Sequence, residues 1–124
     1  MKYWIQKTNG LITRSGFGEK PVEAEYETNI HKYSIDDCYL QGTEFQILIW
    51  KAITSIDVGK TVSYRDLVSI VGRGSAQAAG TACAKNKILV IIPCHRVVGK
   101  KNKLAFSGGP DIKRELLRLE GIKI

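Results

Sequence analysis

Residues 91–99, IIPCHRVVG, set a thiol, an imidazole and a guanidinium in succession at Cys94, His95 and Arg96, directly after an apolar run that Pro93 stops. A cysteine attacks as its thiolate, and a free thiol starts near pKa 8.5, so a reactive one needs a base or a positive charge close by. His95 is a chemically suitable base, and Glu120 could orient its ring as the third member of a relay. Glu120 stands out for a second reason. It lies at the C-terminal end of the last predicted helix, where the macrodipole disfavours an anion by roughly several tenths of a kcal/mol. On residue types alone three readings of Cys94 remain open: an inert core thiol, a metal ligand, or a nucleophile. The three cysteines are an odd number without a CxxC pair, which suggests neither a disulfide framework nor a four-ligand zinc site. His31 and Cys38 are two metal-ligand types with no matching second pair, so neither a metal nor another cofactor is expected.

The elements that must position these residues can be read along the chain. In residues 2–16 two β-prone runs flank Asn9-Gly10, the strongest short-range signal for a tight hairpin. An acidic, turn-rich passage follows, with a strand expected over 22–28. Thr43 and Gln46 stand at capping-box spacing, and Phe45, Leu48, Ile49, Ala52, Ile53 and Ile56 mark one face of the helix they open. Ser63 caps a second helix with Asp66 three residues on, Leu67, Val68 and Val71 form its stripe, and Gly72 ends it. Ser75 caps a third, reaching about Lys85, so residues 63–85 form a helix-turn-helix. That third helix is mostly Ala, Gly, Thr and Cys, small enough to approach either a core or another surface closely. Pro110 opens a last helix with Ile112, Leu116 and Leu119 as its buried stripe.

The chain has 124 residues, of which 44% are hydrophobic and 25% charged, the profile of one ordinary globular domain. The fold expected is α+β: a small N-terminal β element, residues 1–41, packed on a mainly helical domain, residues 42–124, that contains the helix-turn-helix. No apolar run approaches the roughly 20 residues of a membrane helix, which predicts a cytoplasmic protein with no membrane partner. Nineteen Lys and Arg against twelve Asp and Glu give a net charge of +7, which fits either a polyanionic partner such as DNA or simply a solvated surface.

In this order, GTEFQILIWKAITSI, GKTVSY, NKILVIIPCHRVV, SGG and KRELLRLEG resemble the C-terminal domain of the O6-alkylguanine-DNA alkyltransferases, the methylated-DNA–protein-cysteine methyltransferases. The likeness runs from about Gly42 to Gly121. It implies a DNA repair protein that flips O6-alkylguanine out of double-stranded DNA and transfers the alkyl group, once, to Cys94. It further implies that His95 is the water-bridged base, Glu120 the carboxylate orienting it, and Asn86 the brace of the turn carrying the cysteine. Tyr64 then lies near the flipped base and its phosphate, with Val97, Phe106 and Ser107 completing the substrate site. By the same resemblance the helix from Ser75 to Lys85 enters the minor groove, through Ser75, Ala76, Gln77, Ala78, Gly80 and Thr81, with Lys85 a candidate on charge and position. Arg73 and Arg96 are added as DNA contacts on charge and position, and the protein is expected to act as a monomer.

Three departures from the family pattern matter. Gln77 stands where the family usually has an arginine finger, with Arg73 as partial compensation. Phe106 replaces a tyrosine before SGG and cannot donate a proton, which leaves Ser107 and backbone amides to assist the leaving group. The N-terminal region is shortened and has no match for the zinc ligands some members carry there. Two further functions fit less well. A lesion sensor that binds without transfer typically has tryptophan or alanine in place of the cysteine, and a cysteine hydrolase would need turnover and motifs that this chain lacks.

Overall fold

Asn9 and Gly10 both adopt positive φ, 52° and 82°, and reverse the chain between β1 (Tyr3–Thr8) and β2 (Leu11–Phe17). Asn tolerates this region and Gly occupies it freely, which gives the tight turn expected of this pair. The computed structural model describes residues 2–29 and 31–123 of the chain. A third strand, β3 (Glu25–Glu27), pairs antiparallel with the other edge of β1, so the sheet order is β2-β1-β3. It is shorter than the 22–28 expected.

Four α-helices follow among the described residues. α1 (Glu44–Ile53) starts from a complete Thr43–Gln46 capping box, and α2 (Tyr64–Val71) from the equivalent Ser63–Asp66 box. Gly72, in the left-handed region, ends α2; α3 (Ala76–Ala84) begins with the Ser75 hydroxyl accepting from the Ala78 amide. α4 (Pro110–Leu119) opens on Pro110, whose missing N–H costs nothing at that position. The architecture is therefore α+β, with the helix-turn-helix formed by α2 and α3. Among the described residues no helix is long and apolar enough to cross a membrane.

The main core gathers Ile49, Trp50 and Ile53 of α1, Leu67 of α2, Ala79, Ala82 and Cys83 of α3, and Ile88, Ile91, Ile92, Cys94 and Val97 around the PCHR segment. Two helical faces differ from the sequence pattern. In α1 Trp50 is buried and Leu48 exposed, because the Trp50 indole donates to the Ala82 carbonyl at 2.9 Å and fastens α1 to α3. In α4 Leu119 is exposed while Lys113 is fully buried beside Leu116 and Leu117. Two backbone carbonyls satisfy the Lys113 ammonium, which makes a buried cation tolerable there.

Candidate active site

Cys94 opens a 3-10 turn, Cys94–Arg96, that follows a tight reversal through residues 88–92. Val90 sits in that reversal at φ +73°, a conformation that costs a β-branched residue on the order of 1–3 kcal/mol. Hydrogen bonds from three directions hold it there. The Asn86 Oδ1 accepts from the Ile88 amide at 2.9 Å, while its Nδ2 donates to the Ile92 carbonyl at 3.0 Å and to Cys94 Sγ at 3.2 Å. The Tyr3 and Ser15 hydroxyls each donate to the Leu89 carbonyl at 2.8 Å, so the N-terminal sheet braces the same reversal. β2 also meets it along the backbone, Ser15 N–H donating to Lys87 O at 2.9 Å.

His95 is almost fully buried, and its Nε2 lies 2.6 Å from Glu120 Oε2. Glu120, at the C-cap of α4, is shared: Arg96 donates Nε to Oε1 at 2.8 Å and an Nη to Oε2 at 3.2 Å, and the Gly59 amide donates at 3.3 Å. Burial acts to raise the Glu120 carboxyl, but the bonds from Arg96 and His95 outweigh it and hold the group below the usual carboxylate range. His95 is shifted down, chiefly by desolvation, against the pull of Glu120. A neutral ring beside an ionised carboxylate carries its proton on Nε2, which assigns Nδ1 as a bare acceptor. Nδ1 is buried and has no hydrogen-bond partner among the described residues. Cys94 and His95 are thus sequence neighbours whose side chains bond different groups.

Cys94 lies at the wall of a cleft of about 330 Å³ lined by Tyr64, Gly80, Cys83, Ala84, Cys94, Ala105, Phe106 and Ser107. Phe106 stands edge-on to the His95 ring, centroids 6.4 Å apart. The neighbouring Cys83 thiol and burial push the Cys94 thiol well above its ordinary value; the Asn86 amide and the Lys113 ammonium pull it the other way. Lys113 Nζ donates to the Val97 carbonyl at 2.6 Å and to Ala105 at 3.0 Å, and its own pKa is lowered to about 8 by burial. Burial also raises Tyr64, which packs over Gly80 and Gly99. Cys83 and Lys113 are site residues that motif spacing does not flag. Lys113 carried a signal even so: it lies three residues before Leu116, on the face predicted to be buried.

The structure brings Cys94, His95, Glu120, Asn86, Tyr64, Phe106 and Ser107 into one neighbourhood but changes two other assignments. Arg96 is not a surface cation. Its third arm donates to the Ile56 carbonyl at 2.9 Å, and the whole guanidinium is consumed inside the protein. Val97 gives the cleft no side chain, because its backbone bridges to Val62 and turns the isopropyl group into the core. On α3, Ser75, Ala76, Gln77, Thr81 and Lys85 lie on the exposed side, and Ala78 and Gly80 are half-buried. The Ser75 and Thr81 hydroxyls are already bonded within the helix, the latter to the Gln77 carbonyl. Arg73 makes a loose, solvent-exposed pair with Glu44 at 3.6 Å, and its guanidinium lies 6.0 Å from the Phe45 ring.

Residues 44–122 match the family described as 6-O-methylguanine DNA methyltransferase, DNA binding domain. A methylated-DNA–protein-cysteine methyltransferase from Kluyveromyces lactis is 48% identical over 84 residues, 66% of this chain and 44% of that protein. The chain spans about half the length of the curated relatives it matches. Among solved structures, Mycobacterium tuberculosis OGT in complex with DNA superposes with a TM-score of 0.71 at 29% identity, covering 94% of this chain and 84% of that one. S. pombe Atl1, in complex with damaged DNA containing O6-carboxymethylguanine, gives 0.58 at 26% identity over 68% of this chain and 82% of its own.

Proposed function

The chain belongs to the 6-O-methylguanine DNA methyltransferase family, and on that premise we propose that it draws O6-alkylguanine out of duplex DNA and transfers the alkyl group irreversibly to Cys94. One observation carries this reading: an intact thiol on the wall of a base-sized cleft, bonded by Asn86 and adjoining a His95–Glu120–Arg96 chain whose second ring nitrogen is buried without a hydrogen-bond partner among the described residues. The buried thiol rests protonated. Attack on the alkyl carbon forms the S–C bond and breaks the C–O6 bond; the thiol proton passes to His95 Nδ1. Cys94 makes no direct bond to His95, so a bridging water, as the family resemblance implies, carries that proton. The departing guanine O6 accepts a hydrogen bond from Ser107 or a backbone amide, since Phe106 stacks but cannot donate, and the proton released from Cys94 to His95 is finally returned to the purine through solvent. The thioether resists hydrolysis, so each molecule acts once.

The small, exposed side of α3 suits a narrow minor groove, and Tyr64 and Phe106 suit the faces of a flipped purine. The same proposal treats residues 42–124 as the reacting domain, residues 1–41 as its support, and the protein as a monomer. A lesion sensor is the second reading, favoured by the likeness to Atl1 on damaged DNA and by the raised Cys94 thiol. Intact mass after incubation with an oligonucleotide carrying O6-methylguanine separates them. Transfer adds one methyl group, mapped to Cys94 and absent in Cys94→Ala, while the alanine variant keeps its DNA affinity. An unmodified protein that still binds the lesion selects the sensor.

A further inference from the structure

The pocket wall formed by residues 99–108 has positive charge at both ends. Gly99 abuts Tyr64, where an added Cβ would stand 3.2 Å from the ring, and the segment then runs through Ala105, Phe106 and Ser107 along the cleft. Between these fixed points Lys100, Lys101 and Lys103 are exposed. Among the described residues no carboxylate lies within ion-pair distance of any of them. At the other end, Ser107 is shared with a second cleft, of about 390 Å³, whose lining includes Arg14 and Lys87 but no acidic residue. Arg14 is held on the N-terminal sheet, its guanidinium 5.5 Å from the Trp4 ring and one arm donating to Gln6 at 3.4 Å. The backbone bond between Ser15 and Lys87 fixes that sheet edge against the segment following α3.

We infer that these five cations form two phosphate clamps, one at each end of the pocket wall, that grip the backbone of the strand whose base enters the pocket. A nucleotide rotated out of the stack brings its flanking phosphates to the rim of the pocket that receives the base. Three lysines within four residues repel one another unless a polyanion lies across them. Gln77 supplies no charge to the helix that enters the groove, so affinity has to come from elsewhere on the rim. The inference rests on the proposed base flipping, and it gives the N-terminal sheet, through Arg14, a direct part in holding DNA.

The test compares full-length wild type with Lys100→Gln/Lys101→Gln/Lys103→Gln, with Arg14→Gln/Lys87→Gln, and with a control, Lys2→Gln/Lys20→Gln. The control cations both lie over Tyr26, on the far strand of the sheet. Binding to a lesion-bearing duplex is measured against salt, and transfer is measured separately from free O6-benzylguanine base. Each engaged cation accounts for about 0.9 of the slope of log affinity against log salt. The triple variant is therefore expected to flatten the slope by roughly 2–3 and the double by roughly 1–2, with the control unchanged. Transfer from the free base stays at the wild-type rate in both clamp variants. An unchanged slope, or an equal flattening in the control, overturns the clamps. A wild type that alkylates from neither substrate refutes the transfer reading, and the slopes still decide the clamps.

Discussion

Replacing Arg96 separates an internal clamp from a DNA contact. Its three hydrogen bonds, to both Glu120 oxygens and to the Ile56 carbonyl, sit in a site where both partners' side chains are about 10% exposed (11% and 10%). Arg96→Met keeps much of the apolar stem but leaves a carboxylate and a carbonyl without their donor. Breaking a buried ion pair from one side costs about 3–5 kcal/mol. Glu120 keeps its bonds from His95 and Gly59, which places the expected loss near the lower end, about 3 kcal/mol. For a domain of this size that lowers the melting temperature by roughly 10 °C. Arg96→Lys restores the charge but not the planar fork, and is expected to recover less than half of the loss. Urea unfolding of the three proteins measures the stability term, and the salt dependence of duplex binding measures the phosphate term. The clamp predicts a large stability loss and an unchanged salt slope. A loss under about 1 kcal/mol, with the slope flattened by roughly 1 and restored by lysine, would refute the reasoning and return Arg96 to the DNA surface.

The shifts of His95 and Glu120 have the same sign consequence. Each folded group is protonated less readily than its unfolded counterpart, so stability is full above the ordinary imidazole range near 6.5 and falls as pH drops, first through His95 and then, below the ordinary glutamate range, through Glu120. Unfolding free energy measured from pH 8 down to about 3 should decline along that course, and a profile flat through the imidazole range contradicts the assigned neutral ring. Cys83→Ala removes the leading cause that raises the Cys94 thiol, so alkylation of Cys94 by iodoacetamide at neutral pH should accelerate; an unchanged or slower rate assigns the shift to burial alone. Gln77→Arg should tighten duplex binding and speed transfer from duplex DNA, with much less gain on single strands, where nothing is extruded. Equal gains on both substrates would point to general electrostatic attraction.

Local rules made much of the scaffold legible. The Asn9-Gly10 turn, the Thr43 and Ser63 capping boxes, the Gly72 stop and Pro110 at a helix start all depend on residues within a few positions of one another, and each forms as that chemistry dictates. The PCHRV motif, together with the stretches around it, likewise pointed to the family. What adjacency in the chain hid was side-chain direction. Cys94, His95 and Arg96 follow one another, yet one bonds Asn86 and the other two share Glu120, because a 3-10 turn splays consecutive side chains. Lys113 goes unread in the sequence, and Arg96 reads there as a DNA contact, since no pattern in the chain announces the carbonyls of Val97, Ala105 and Ile56 that receive them. Residue types and short spacings determined the elements and the reacting group; only tertiary packing decided which charges are buried, because a buried charge is tolerated only where distant backbone supplies its partners.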